Sequence, residues 1–116
     1  MRPKPLAALV TSALADIKAL DVQTLDVRKL TSIMDVMIIA SGTSDRHVRS
    51  IADKVIEAVR EKGVKALGVE GADGGEWVLV DLGDVVVHVM QRKVRELYQL
   101  EKLWAIKPAR ARKRSE

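Results

Sequence analysis

The acidic side chains are the strongest candidates for a binding site in this chain, and five of them lie in one segment that has no positively charged residue. Residues 66–91 contain no lysine and no arginine. Their acidic residues are Glu70, Asp73, Glu76, Asp81 and Asp84. Negative side chains grouped in this way repel phosphate and attract cations. The segment therefore predicts a surface for a basic protein or for a metal ion, rather than for bare nucleic acid.

A second candidate site is the segment Ser41–Asp45, which lies between an apolar run and a helical pattern. Free amides at the start of a helix can bind an anion, but the segment lacks the spacing of a P-loop or a dinucleotide fingerprint. A nucleotidyltransferase holds magnesium with two carboxylates on one strand face. Asp81 and Asp84 are three residues apart across a turn, which does not provide that arrangement. We favour a helix cap at Ser41–Asp45 and keep a magnesium-dependent nucleotidyltransferase-like enzyme as the alternative function.

The two histidines, His47 and His88, do not indicate catalysis. A general base needs a nucleophile or an acid within reach, and neither histidine has one close in sequence. His47 falls in the first turn of a predicted helix, while His88 shares a strand face with Val86 and Met90. Two isolated histidines without cysteine do not make a zinc site. We therefore predict no catalytic residue, no metal and no cofactor.

Composition bounds the class of protein. The chain has 116 residues, which favours one domain, and its lack of cysteine excludes disulfides and thiol catalysis. No apolar run approaches the roughly 20 residues of a membrane span. The segment Met1–Pro5 lacks the apolar core of a signal peptide. We expect a soluble cytoplasmic protein.

Hydrophobic periodicity divides the chain into eight elements. They are a helix over Pro5–Leu20, strands over Val22–Val27 and Val36–Ala40, a helix that Thr43 or Ser44 caps and Gly63 ends, strands over Val64–Val69, Trp77–Leu82 and Val85–Met90, and a helix over Val94–Trp104. The strand–helix–strand order predicts a parallel pair of Val36–Ala40 with Val64–Val69. The short Gly83-Asp84 connection predicts an antiparallel hairpin.

The last predicted helix is apolar over about 220° of its circumference, at about 100° per residue, whereas packing on one core needs little more than about 100°. Its apolar residues are Val94, Leu97, Tyr98, Leu100, Leu103 and Trp104. The surplus could face a partner or a second copy. The aromatic residues Trp77, Tyr98 and Trp104 are either interface anchors or core residues, and both interpretations stay open.

Residues 107–116 form a basic tail after a predicted domain over residues 1–106. The net charge of the whole chain is +4, and the tail, with five basic residues against Glu116, accounts for all of it. The tail lacks apolar residues that could pack, so we predict that it is disordered. It could contact RNA phosphates or serve only to keep the protein soluble.

Four segments together resemble the RsfS family of ribosomal silencing factors, also called Iojap-like. They are Asp35–Val48, Val69–Gly71, Glu76–Met90 and Arg95–Trp104, which occur in the family's order and spacing. The resemblance covers about residues 5–105. It implies an α/β fold with a mixed five-stranded sheet and flanking helices in the order αββαβββα, related to nucleotidyltransferases but without their activity.

The resemblance also implies a partner and a role. Family members bind large-subunit ribosomal protein fourteen, sterically block the joining of the small and large subunits, and repress translation under nutrient limitation. The acidic, aromatic surface predicted from the residues suits a basic ribosomal protein. We predict these partner-binding residues: Trp77, Leu79, Asp81, Asp84, His88, Tyr98, Leu100 and Trp104. A dimeric adaptor that uses the last helix is a third hypothesis, which leaves a homodimer open.

Overall fold

The structure, a computed structural model, describes residues 1–100, which form a five-stranded sheet and its helices. The elements in chain order are α1 (Pro3–Asp16), β1 (Leu20–Asp26), β2 (Val36–Gly42), α2 (Asp45–Glu61), β3 (Gly68–Glu70), β4 (Trp77–Asp81), β5 (Val85–Gln91) and α3 (Arg92–Tyr98). The predicted mixed α/β fold in the order αββαβββα is confirmed. None of the helices in this range combines the length and apolar character needed to cross a bilayer.

The strands lie in the order β1-β2-β5-β4-β3, with β2 and β5 parallel and the other neighbours antiparallel. The predicted hairpin of β4 and β5 is confirmed. The predicted pairing of Val36–Ala40 with Val64–Val69 is wrong, because β5 takes the place beside β2 and β3 pairs with β4 at the edge. The reason is burial: β5 is buried on both faces and suits the centre, whereas β3 is short and mostly exposed.

Local signals explain where the first two helices begin and end. Proline occupies the first turn of α1, where a missing amide is tolerated. This helix stops at Asp16, earlier than predicted, because Lys18 adopts a left-handed conformation (φ 60°). At the start of α2 the Ser44 hydroxyl accepts the His47 amide over 3.1 Å, as a helix cap does. Gly63, with φ 81°, follows the end of α2.

The two faces of the sheet are covered differently. Helices α1 and α2 pack on one face over the larger apolar cluster, which includes Ile38, Ala40, Val78, Val80, Val87 and Val89. The second face carries a smaller cluster of Val27, Met37, Ile39 and Met90, against which Trp77, Val94 and Leu100 pack. Helix α3 has seven residues and packs at this second face, where Met37, Ile39 and Met90 are at most 2% exposed.

The last helix is shorter than the sequence predicts. Gln99 adopts a left-handed conformation (φ 50°), and its amide donates to the Arg95 carbonyl oxygen over 2.8 Å, which closes α3 after Tyr98. Leu100 is helical again, is half-buried and packs against the cluster on the second face. Leu103 and Trp104, which the prediction placed on this helix, lie outside the described residues. The apolar residues predicted to lie on one long helix are therefore separated by the break at Gln99, with Val94, Leu97 and Tyr98 before it and Leu100 after it.

Candidate partner-binding surface

The second face of the sheet presents a row of side chains from all five strands. Gln23, Ile39, His88, Leu79 and Glu70 are cross-strand partners in that order. Cross-strand partners point to the same side of a sheet. The row therefore runs from an exposed polar residue on β1, over the buried residues Ile39 and His88, to an exposed carboxylate on the β3 edge.

Trp77, at the start of β4, joins this row to α3. Its indole Nε1–H donates to Nδ1 of His88 over 3.0 Å, and the two ring centroids lie 5.9 Å apart. The Tyr98 ring lies against Trp77 with its centroid 4.9 Å away and the ring planes tilted by 52°. Tilted aromatic pairs at this separation attract each other. Trp77 is half-buried and Tyr98 is 56% exposed, so the pair offers aromatic surface to a partner.

His88 lies at the centre of the row and is 8% exposed. Burial lowers the pKa of His88 to about 4, so the imidazole is neutral at neutral pH. Because Nδ1 accepts the indole N–H, the single proton of the neutral ring is on Nε2. The sequence predicted the face on which His88 lies, and the structure adds its bond to Trp77.

Arg95 determines where α3 lies, and we did not predict it from the sequence. Its side chain is 7% exposed, and one guanidinium nitrogen donates to the Asp21 carbonyl oxygen over 2.6 Å and to the Ser41 hydroxyl over 2.9 Å. These bonds tie α3 to β1 and β2 and so help to place Tyr98 beside Trp77. In the sequence Arg95 resembles the exposed residues Arg92 and Lys93, which is why spacing alone does not identify it.

Carboxylates lie at the opposite end of the second face from Trp77. Asp81 is half-buried on β4, about 13 Å along the strand from Trp77 at about 3.3 Å per residue. Its carboxylate accepts the Gly83 amide over 2.9 Å, which closes the hairpin turn. Asp84 is exposed in that turn, whereas Glu70 is exposed on β3 beside Leu79, midway along β4. The face therefore has an aromatic end and an acidic end.

The structure thus brings together part of the predicted partner-binding set. Trp77, Leu79 and His88 lie on one face, and Tyr98 joins them from α3. Leu100 packs under the same end, whereas Asp81 and Asp84 mark the acidic end and Trp104 lies outside the described residues.

The residues of the alternative site at Ser41–Asp45 make hydrogen bonds within the protein. The Thr43 amide donates to His47 Nδ1 over 2.9 Å, and His47 Nε2 lies 3.3 Å from the Ile17 carbonyl oxygen. These contacts connect the start of α2 to the end of α1, which is a structural use of the segment. Among residues 1–100, no group of three His, Asp or Glu side chains is arranged to hold a metal ion.

The loop between β3 and β4 is held against the start of α2. The Gln91 side-chain amide donates to the Asp45 carboxylate and, over 3.2 Å, to the Gly75 carbonyl oxygen. Arg49 donates to the Asp73 carbonyl oxygen over 3.4 Å. Gln91 was not predicted from the sequence, although a polar residue directly after the predicted apolar strand was a weak signal for it. This loop precedes Trp77, so its anchoring also supports the aromatic end of the face.

Comparisons with known proteins agree with the fold and the motifs. The family model described as "Ribosomal silencing factor during starvation" matches residues 1–116, and so runs through the basic tail that the motif resemblance left outside. The ribosomal silencing factor RsfS of Chromobacterium violaceum is 48% identical over 104 residues, which cover 90% of this chain and 85% of that protein.

Two further comparisons extend this result. A crystal structure of a Chromobacterium violaceum protein superposes with a TM-score of 0.89 at 47% identity, covering 94% of this chain and 92% of that chain. A Mus musculus protein named for mitochondrial assembly of the ribosomal large subunit is 30% identical over 102 residues, covering 85% of this chain and 45% of that protein. The whole-chain family match and the identity to a named silencing factor show that this chain belongs to the family of ribosomal silencing factors.

Proposed function

We propose that this protein binds the large ribosomal subunit through ribosomal protein fourteen and sterically blocks the joining of the small subunit, which represses translation under nutrient limitation. The observation that carries the proposal is the second face of the sheet, where Trp77 and Tyr98 form an aromatic end and Asp81 and Asp84 an acidic end. The family name and the large-subunit name of the mouse relative support the choice of partner. A ribosomal partner also makes the cytoplasm the expected place of action.

Charge and aromatic surface have different tasks in this proposal. Ribosomal proteins are basic, so the carboxylates of residues 66–91 steer the encounter and set the orientation of the partner. Aromatic residues at the centre of an interface supply most of the affinity. We therefore assign Asp81, Asp84 and Glu70 to approach and orientation, and Trp77, Leu79 and Tyr98 to affinity.

A steric block requires surface and bulk rather than chemistry. A stable interface of ordinary size buries about 800 Å² on each partner. The relatives carry the name of a regulatory factor, and the Ser41–Asp45 segment serves the fold. These observations favour a binding protein over the nucleotidyltransferase-like alternative.

Co-sedimentation with separated ribosomal subunits, followed by a subunit-joining assay, tests the function directly. We expect the protein to pellet with large subunits and to reduce the formation of joined ribosomes. Binding to neither subunit would refute the proposal. The homodimer hypothesis is tested by measuring the molecular mass of the protein alone at increasing protein concentration. Leu97, which is 76% exposed, offers apolar surface for such a dimer near Tyr98.

Replacing Trp77 by alanine tests the aromatic end of the surface. We expect Trp77→Ala to weaken binding to large subunits by about 2 kcal/mol or more, roughly thirtyfold, because a central tryptophan is a typical hot spot. The measurement is the dissociation constant, with the melting temperature followed in parallel. Glu57→Ala is the control, since Glu57 is exposed on α2, which packs on the other face of the sheet. A large loss of stability with unchanged affinity of the folded protein would show that Trp77 is a core residue.

Removing residues 107–116 tests the basic tail. We expect the truncated protein to lose the part of its large-subunit affinity that depends most on salt, because basic residues displace counterions from RNA phosphates. The measurement is the dissociation constant at low and at high salt. A full-length control replaces the tail's basic residues Lys107, Arg110, Arg112, Lys113 and Arg114 by glutamine. Equal affinity of all three proteins at low salt would rule out a role for the tail.

A further inference from the structure

His88 connects the apolar centre of the second face to the residue expected to anchor the partner. It is 8% exposed, so it offers little surface of its own for contact. Its Nδ1 nevertheless accepts the indole N–H of Trp77 over 3.0 Å. A buried histidine with so little surface is better placed to act through its neighbour than to touch a partner.

We propose that His88 is a positioning residue: by accepting the indole N–H it holds the Trp77 ring in the one orientation in which Trp77 and Tyr98 together meet the partner. This inference rests on the proposed function and deepens it. The sequence placed His88 in the contact surface, and the proposal gives it a role behind that surface.

The need for an acceptor follows from the neighbours of Trp77. An indole N–H that packs against a sheet face without an acceptor costs free energy, so the ring would turn to bring its N–H to water. The neighbours of Trp77 on this face include Leu79 on its own strand and Met90 opposite it. Neither is a strong hydrogen-bond acceptor. His88 supplies the acceptor because its neutral ring carries its proton on the other nitrogen.

The position of the ring matters because Tyr98 packs against it. The two ring centroids lie 4.9 Å apart, so a rotation of the indole about its side-chain torsions would break the contact and separate the pair. Tyr98 itself is held by α3, which Arg95 ties to β1 and β2. Tyr98 is thus held by α3, and the hydrogen bond to His88 holds the Trp77 ring against it.

A set of variants separates positioning from a merely structural role. His88→Leu removes the acceptor at similar size, whereas His88→Gln keeps a neutral acceptor in its side-chain oxygen. Trp77→Phe keeps an aromatic ring but has no N–H to position. We expect His88→Leu to bind large subunits about tenfold more weakly than the parent, and His88→Gln to bind within about threefold of it.

The double-mutant cycle is the decisive measurement. In the Trp77→Phe background, His88→Leu should produce no further loss of affinity, because a positioning residue acts only through the N–H that this background lacks. Equal losses in both backgrounds would show that His88 supports the sheet in general and would overturn the proposal. If His88→Leu fails to fold, the cycle is run with His88→Ala, against the same His88→Gln control.

A spectroscopic arm reads the hydrogen bond without the ribosome. The chain has two tryptophans, so a Trp104→Phe background leaves Trp77 as the sole indole, and ultraviolet resonance Raman reports the hydrogen bond of its N–H. We expect the bonded signal in the parent background and in His88→Gln, and its loss in His88→Leu. The proposed function fails if the unsubstituted protein does not bind large subunits although this signal is intact in the Trp104→Phe protein. The positioning role fails if the parent binds and His88→Leu binds equally well.

Discussion

Between pH 6.5 and pH 4 the protein should lose about 3 kcal/mol of its free energy of unfolding through His88 alone. The unfolded chain protonates this imidazole near pH 6.5, whereas burial lowers the pKa in the folded protein to about 4. As the pH falls through this interval, the unfolded state takes up a proton that the folded state does not bind, and unfolding is favoured. Above pH 6.5 neither state is protonated, so the contribution is fully present. Each unit of pKa difference corresponds to about 1.36 kcal/mol.

The measurement is chemical denaturation of the parent protein and of His88→Gln at pH values from 7 down to 4. Glutamine keeps an acceptor for the indole N–H but does not titrate, so the carboxylates that titrate in both proteins cancel in the comparison. We expect the parent to lose about 3 kcal/mol more than the variant over this range. Parallel pH profiles would mean that His88 is protonated as easily in the folded state as in the unfolded chain.

The second large effect concerns the loop that leads to Trp77. Gly71 has φ 84°, and a Cβ atom added there would lie 2.0 Å from the Trp77 carbonyl oxygen. A side chain in this conformation costs about 1–2 kcal/mol, and the close approach forces two backbone segments apart. We expect Gly71→Ala to lower the free energy of unfolding by about 3 kcal/mol or more. Because the clash is with Trp77 itself, partner binding should weaken beyond the loss of folded protein.

Two other glycines serve as controls for that variant. A Cβ atom at Gly74 would approach the Gly71 carbonyl oxygen no closer than 4.0 Å, so Gly74→Ala should change stability by no more than about 0.5 kcal/mol. Gly63 shares a left-handed conformation (φ 81°) but would meet no atom within 4 Å, so Gly63→Ala should cost about 1 kcal/mol from backbone strain. The series is measured by chemical denaturation, and equal values for Gly71→Ala and Gly63→Ala would show that the contact with Trp77 has no effect.

Strand periodicity predicts part of the partner-binding surface but not all of it. The alternation of Trp77, Leu79 and Asp81 determines that they share a face, because side chains on a strand point alternately to its two sides. The hairpin turn places His88 opposite Leu79, and this was foreseeable in outline. The position of α3 was not, since it depends on Arg95 bonding to Asp21 and Ser41, which are distant in the chain. Neither the charge of Arg95 nor its spacing in the helix predicts contacts with residues so far away in the sequence.

By itself the sequence determined the types of the elements, their order and the acidic character of residues 66–91, because these depend on local periodicity, on turn residues and on composition. Only the tertiary structure decided which strands are neighbours. Val64–Val69 and β5 both offered a partner for β2, and the choice depends on which strand is buried on both faces. The tertiary structure also decided that α3 ends at Tyr98 and that Trp77 bonds to His88. These features depend on the free energy of alternative packings between distant segments, which cannot be read from any one segment alone.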